Sequence, residues 1–474
     1  APAGKHAILC AGPVDLELDL GDPNRRPGHD VDHDDRLVGI GIDDARIAML
    51  RLQQDYDEYD KAWELLRARV LIKAERYDEA IELLSQRLDW QSLTLKLLAE
   101  YRNGLHNART LWELASKRID SIQDDQLQLA SYWSLAVIAA QSISSVQQVV
   151  ALENRLGIDR QDNISPQPVN ADQLWQAYLD YANLVGNRSE LLMGDDASWL
   201  ELADNARKMT PIKARSLYAL LMIQSSQAEI RNQAASGFLQ TLQLDQEAHR
   251  VLLDRLFNDS ERFSDATRIP VQIRFELVDM ALKKADIIEA TRLMSDLNSI
   301  PPDTREFDWL LRQARVLLLG GKLEQGNDLL QQLIQQYSEP NEQDTDRILQ
   351  VLFDLQTLEL DDKAIVHFRR LMAVAAPRQQ REILFWMGDS FKSLEQYERA
   401  ALLYLQSAMF PGPDSMDPWA QTARFNAAES LQKAGLVDDA RRVYQSLLKI
   451  TEAPERRSVL RHKIQQLWLT QSVD

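Results

Sequence analysis

This sequence predicts an all-α fold, an α-solenoid of antiparallel helix pairs, on three observations. A small residue recurs in the C-terminal half as Ala290, Gly326, Ala364, Ala400 and Ala440, at spacings of 36, 38, 36 and 40 residues. A self-similar period of this size marks stacked helical hairpins, none of which can bury its apolar face alone. Composition agrees: of 474 residues only 17 are glycine and 16 proline, while 45% are hydrophobic and 27% charged, a balance suited to soluble helices. Apolar residues also recur at helical spacing from about residue 44 onward with few breaks.

Taken in order, residues 1–45 stand apart. Gly12-Pro13, Gly21-Asp22-Pro23-Asn24 and Pro27-Gly28 punctuate them. Val14, Leu16, Leu18 and Leu20 alternate with Asp15, Glu17 and Asp19, so this segment is expected to be an extended acidic arm, prone to disorder, without partner strands. Residues 46–156 form an N-terminal helical block. Tyr77 to Leu84 opens one second helix, with Ala80 at its close approach, and Ala108, Trp112 and Ala115 face inward in the next pair. Ser165-Pro166-Gln167-Pro168 marks a linker, so residues 157–260 are expected to be an irregular helical middle beginning at a boundary. Residues 261–450 form the regular array. Residues 451–474 supply a capping helix and tail, with Val459, Leu460, Ile464, Leu467 and Trp468 on one side and Arg456, Arg457, Arg461 and Lys463 on the other.

The clearest unit runs Leu384, Met387-Gly388, Phe391, Tyr397, Ala400, Tyr404 and closes at Pro411. Gly388 and Ala400 are small where two antiparallel helices cross, and the large residues fill the hairpin interior. The same logic recurs in Leu310, Ala314, Leu317, Leu323, Gly326, Leu330 and in Ala427-Ala428, Leu431, Gly435, Ala440, Tyr444. This pattern resembles the tetratricopeptide repeat (TPR) family, closely over 271–450 and more loosely over 60–116. The early aromatic of the family's first helix is usually Leu or Arg here, and the period exceeds the family's length of about 34 residues. The resemblance implies a TPR-like superhelix that binds protein segments, with no cofactor and no catalytic residues. It also implies groove positions on the first helices: Glu382, Phe385, Asp389 and Lys392 in one unit, Phe425, Glu429 and Gln432 in the next. Either Phe is expected to anchor a bound peptide where it is exposed, or to pack into a neighbouring unit. The lysine and asparagine clamp of some family members is absent from these positions.

Charge narrows the partners. A net charge of −18 excludes a nucleic-acid backbone, which requires a cationic footprint, and disfavours anionic lipid. No apolar stretch is long enough to span a bilayer. Cys10 is the only cysteine, so no disulfide framework or cysteine-based zinc site is expected. The cluster His29, Asp30, Asp32, His33, Asp34, Asp35 lacks the glycine and terminal glutamate of a calcium loop, and reads as a solvated acidic stretch rather than a metal site. Gly39-Ile40-Gly41 lacks the third glycine of a dinucleotide loop. The tryptophans Trp112, Trp133, Trp175, Trp199, Trp309 and Trp386 fall at core spacing. His106, His249, His367 and His462 are isolated from one another, and surface or capping roles are expected for them. The insert Pro411 to Pro418 lengthens one turn.

The expected function is therefore a non-catalytic scaffold that binds one or more proteins, with no metal and no small-molecule substrate. The Ala1-Pro2-Ala3 start fits removal of a secretory signal. Together with the single cysteine and the look of bacterial envelope repeat proteins, it suggests a periplasmic or envelope location, with the cytoplasm as the alternative. The competing functional reading is an α-superhelical glycan-binding or regulatory arm of cell-wall machinery.

Overall fold

Helix follows helix in the computed structural model, which describes residues 61–158, 169–410, 412 and 417–471. The acidic arm 1–45 with its Asp/His cluster, Cys10, Gly39 to Gly41, the linker 165–168 and most of the 411–418 insert lie outside the described residues. Among the described residues there are 23 α-helices, two single-turn 3-10 helices and no strand. The chain divides into two compact units, one ending at Ala139 and the other beginning at Ala140.

The first unit contains α1 (Lys61–Lys73), α2 (Tyr77–Leu84), α3 (Trp90–Arg102), α4 (Ala108–Ile119) and most of α5 (Gln126–Ala140). Helices α1 to α3 close over Leu65, Ala68, Leu71, Ala80, Leu84, Leu95 and Ala99. Asp89 and Asn107 cap α3 and α4 through the backbone N–H groups of Ser92 (3.1 Å) and Thr110 (2.9 Å). In α4, Leu111 and Ala115 are fully buried while Trp112 is half-buried.

The second unit opens with α6 (Ser145–Leu156), α7 (Ala171–Val185), α8 (Arg188–Leu192), α9 (Asp196–Ala206), α10 (Pro211–Gln224), α11 (Ala228–Thr241) and α12 (Glu247–Asn258). Its core is aromatic. Trp175 meets Tyr178, Phe238, Phe257 and Phe263 at ring separations of 5.2 to 6.5 Å, and its indole N–H donates to the Leu256 carbonyl at 2.8 Å. Beside it lies a buried ion pair. The Arg215 guanidinium donates to both Glu153 oxygens (2.8 and 2.6 Å), and the Tyr178 hydroxyl donates to Glu153 Oε1 at 2.7 Å. Burial works against the Arg215 charge, but Glu153 outweighs it and raises the guanidinium above its ordinary value.

Regular hairpins then follow: α13 (Val271–Lys283) with α14 (Ile287–Met294), α15 (Glu306–Leu319) with α16 (Leu323–Gln336), and α17 (Glu342–Thr357) with α18 (Asp361–Met372). Next come α19 (Pro377–Ser393) with α20 (Tyr397–Ala408), α21 (Pro418–Lys433) with α22 (Val437–Ile450), and the terminal α23 (Pro454–Gln471). Ala290, Gly326, Ala364, Ala400 and Ala440 each occupy the fourth residue of the second helix, as Ala80 does in α2. All are buried. Gly388 shows why the opposing position is small: a Cβ there would lie 2.9 Å from the Tyr404 ring.

A second register accompanies the first. Five residues before each small residue stands one with positive φ: Glu75, Ala285, Gly321, Glu359, Glu395 and Gly435. In each case the next residue's N–H reaches back to the carbonyl five residues earlier, at 2.8 to 2.9 Å, as in Gln396 to Phe391 and Leu436 to Leu431. This is the Schellman closure of a helix, where a left-handed residue lets the chain reverse. Only two of the six positions carry glycine, the residue that adopts this conformation without penalty. The sequence pattern of small residues did not reveal it.

Two expectations need correction. His367 is not a surface or capping residue: it is 1% exposed on α18. Its Nε2 donates to Asn327 Oδ1 of α16 at 2.9 Å, and its Nδ1 is buried with no partner among the described residues. A histidine near the middle of a second helix is carried under the neighbouring hairpin, which periodicity at the level of polar against apolar does not show. The terminal helix also has a narrower buried seam than expected. Leu460, Ile464 and Leu467, spaced for one stripe, pack inward, while Val459 and Trp468 are 50% and 58% exposed. Helix α23 rests on α22 along one side, so residues flanking that seam stay open. Trp468 lies instead under the Arg441 guanidinium, 4.2 Å from its ring centre.

Candidate partner-binding face

The first helices α13, α15, α17, α19, α21 and α23 are tied to one another by polar side chains. Arg312 on α15 pairs with Asp279 on α13, and Arg305, the N-cap residue of α15, with Asp344 on α17 at 2.6 Å. Gln356 on α17 donates to the Trp386 carbonyl and Ser390 Oγ of α19 at 2.8 and 2.7 Å. Arg381 on α19 forms a two-pronged pair with Asp417, the N-cap of α21, at 2.7 Å for each contact. That hydrogen-bonded guanidinium is the main reason the Asp417 carboxyl sits below its usual value. Lys392 of α19 and Lys463 of α23 converge on Glu429 of α21 at 3.7 and 2.9 Å. Such part-exposed pairs contribute about 0.2 to 1 kcal/mol each. Their joint effect is to fix the spacing of neighbouring first helices.

The groove positions expected from sequence all lie on α19 and α21, with different surroundings. Glu382 is half-buried and paired with Arg378 one turn away at 3.3 Å. Phe385 is buried, 9% exposed, among Trp386, Tyr404 and Trp419 at ring distances of 5.3, 5.3 and 4.9 Å. It therefore packs into the next unit, the second of the two roles open to it. Asp389 accepts the Tyr404 hydroxyl; burial first, and then this carboxylate, push the Tyr404 phenol far above its usual value and keep it protonated. Lys392 and Glu429 are brought together. Gln432 is half-buried on the last turn of α21.

Phe425 is different. It is half-buried, with its ring 5.6 Å from Tyr444, and it lines a cleft of about 300 Å³ between α21, the end of α22 and the start of α23. Leu447 and Leu460 form its buried wall, and the exposed Val459 and Arg456 form its rim. Sequence reasoning missed Arg456 and Val459 as lining residues, because it assigned α23 to opposite basic and apolar faces. The available signal was the spacing of Arg456, Val459 and Leu460, which puts an open cation and an apolar pair on one helix turn.

The tetratricopeptide repeat family model matches residues 309–339 and 422–450. These two stretches are tetratricopeptide repeats. The first spans most of α15 and all of α16, and the second takes in most of α21 and all of α22, including Phe425 and Glu429. Among solved structures the chain is similar to yeast Tom70, at 12% identity over 91% of this chain and 85% of that one, with a TM-score of 0.26. It is also similar to the APC/C hetero-tetramer Cut9-Hcn1, at 14% identity over 91% and 81%, with a TM-score of 0.24. No curated protein matches the chain. Among the described residues no helix is long and apolar enough to cross a membrane, and no group of three or more His, Cys, Asp and Glu residues could hold a metal ion.

Proposed function

We propose that this tetratricopeptide-repeat chain is a non-catalytic protein–protein interaction scaffold that holds a protein segment or subunit against its first helices, within a bacterial envelope assembly. The observation that carries the reading is the Phe425 cleft. It lies on first-helix positions of a matched repeat, its floor is apolar, and an exposed aliphatic and a guanidinium stand at its mouth. A half-buried aromatic beside such a mouth is the kind of anchor on which a few residues of a partner deliver most of the binding energy. Neighbouring first helices are already locked by their own polar links, so a partner meets a preformed surface and little ordering cost is added on binding. The envelope setting rests on the single cysteine, which leaves no disulfide to mispair in an oxidising compartment, and on the resemblance to repeat proteins of that compartment.

The test is affinity capture from a bacterial envelope extract with the full chain and with Val459→Asp, which alters the cleft mouth at an exposed position. A single stoichiometric protein partner, reduced or lost with the variant, is the expected result. Retention on purified cell-wall polymer with no protein partner would overturn the scaffold reading in favour of a glycan-binding arm.

A further inference from the structure

We infer that a second cleft, between α15 and α17, binds the carboxylates of an acidic protein segment. This inference rests on the scaffold reading and adds the chemistry of one partner segment. The cleft has a volume of about 370 Å³ and is lined by Trp309, Arg312, Arg315, Arg347, Gln350 and Val351, among others; Asp308 is its one acidic lining residue. In the lining itself three guanidiniums outnumber one carboxylate, on a chain that carries −18 overall.

Each of those arginines already has an aspartate, and Arg347 has a second, Asp344, at 3.9 Å. Arg312 pairs with Asp279, Arg315 with Asp354 at 2.7 Å, and Arg347 with Asp308. A guanidinium has five N–H donors, and the three side chains remain 40, 46 and 37% exposed. Their aspartates therefore hold them in place and leave donors for a further carboxylate. Trp309 provides an independent observation. It is 2% exposed, and its indole N–H is buried without a hydrogen-bond partner among the described residues. A buried donor left unsatisfied carries a desolvation penalty, and here it belongs to a residue that lines the cleft. The Trp309 ring itself lies 5.9 Å from the Arg312 guanidinium carbon. With Leu311 and Val351 it gives the cleft an apolar wall, so the segment that fits has an acidic residue next to an aliphatic one. A polyanion is disfavoured because the net negative charge of the whole chain repels it beyond the reach of this cleft.

The probe is a fluorescein-labelled peptide with a single glutamate next to a leucine in an otherwise neutral sequence, with the same peptide carrying glutamine in place of glutamate and inorganic phosphate as comparisons, titrated into the full chain by anisotropy. The glutamate peptide is expected to bind at least tenfold more tightly than the glutamine peptide, and to weaken as salt is raised. Arg312→Gln combined with Arg347→Gln is expected to reduce that affinity tenfold or more. Because those changes also remove internal ion pairs, Gln350→Glu is the companion variant: it adds a repelling carboxylate at an exposed lining position and is expected to weaken binding several-fold with an unchanged circular dichroism spectrum. Equal binding of the two peptides, an unchanged affinity in Gln350→Glu, or binding of phosphate without binding of the glutamate peptide would each overturn the assignment. If envelope capture still yields its protein partner in that case, only this cleft assignment falls; if capture fails too, the scaffold reading falls with it.

Discussion

The aromatic middle of the second unit, α6 to α12, and the hairpins α13 to α22 bury their apolar surface by different means. The hairpins put an alanine or glycine at the fourth residue of every second helix and let backbones approach. They fasten neighbouring first helices with part-exposed ion pairs. The middle lacks that register and fills the space with Trp175, Tyr178, Phe238 and Phe257, placing an ion pair, Arg215 with Glu153, inside. The lesson is about where stability can be lost. A repeat array distributes it over many small terms, whereas the middle concentrates it in a few buried groups that must all be satisfied.

Breaking the buried pair should give the largest effect. Arg215→Ala leaves the Glu153 carboxylate buried without its cation, and a loss of about 3 to 5 kcal/mol is expected in urea denaturation. A loss below about 1 kcal/mol would mean that Glu153 finds water or another donor, and the contrast between the regions would weaken. Among the titratable groups that the hairpins bury is His367. Burial first, and then the Arg370 charge, bring the His367 imidazole down from 6.5 to about 4. A folded value below the unfolded one means that the unfolded chain takes up the proton first. The stability from neutral His367 is thus complete above about pH 6.5 and is lost as pH falls toward 4, by about 3 kcal/mol in all. Denaturation midpoints at pH 7 and 4.5 should show this dependence, and His367→Gln should flatten it.

The turn register sharpens the comparison in the other direction. Glu395 has φ +58°, a region that penalises residues with a Cβ by roughly 1 to 2 kcal/mol. Glu395→Gly should therefore stabilise the chain by about 0.5 to 1 kcal/mol, read as a higher midpoint, and Glu359→Gly should do the same. A destabilised Glu395→Gly would show that side-chain contacts at these turns outweigh the backbone strain. The smallest effect belongs to the first-helix links. Lys392→Ala should cost less than about 1 kcal/mol, because Lys463 still reaches Glu429, and the cost should shrink as salt is raised.

Which helix each candidate position occupies was legible in sequence: Glu382, Phe385, Asp389, Lys392, Phe425, Glu429 and Gln432 all lie on the first helices where the family resemblance put them. Their surroundings were not legible. Phe385 and Phe425 occupy equivalent positions, yet Trp419 closes over the first while the second borders an open cleft. Trp419 lies 34 residues from Phe385, and that separation becomes a contact only when one unit is stacked on the next. The same is true of Asn327 and His367, of Arg347 and Asp308, and of the donors gathered around Trp309.

The sequence by itself determined the helices, their pairing and the small residues at which they cross, because these follow from contacts within about 20 residues and from a period that repeats. Tertiary structure alone decided which side chains on each first helix are covered and which remain open. That outcome depends on the angle and spacing between successive units, which in this chain are set by an aromatic ring in one place, an ion pair in another and a buried histidine in a third.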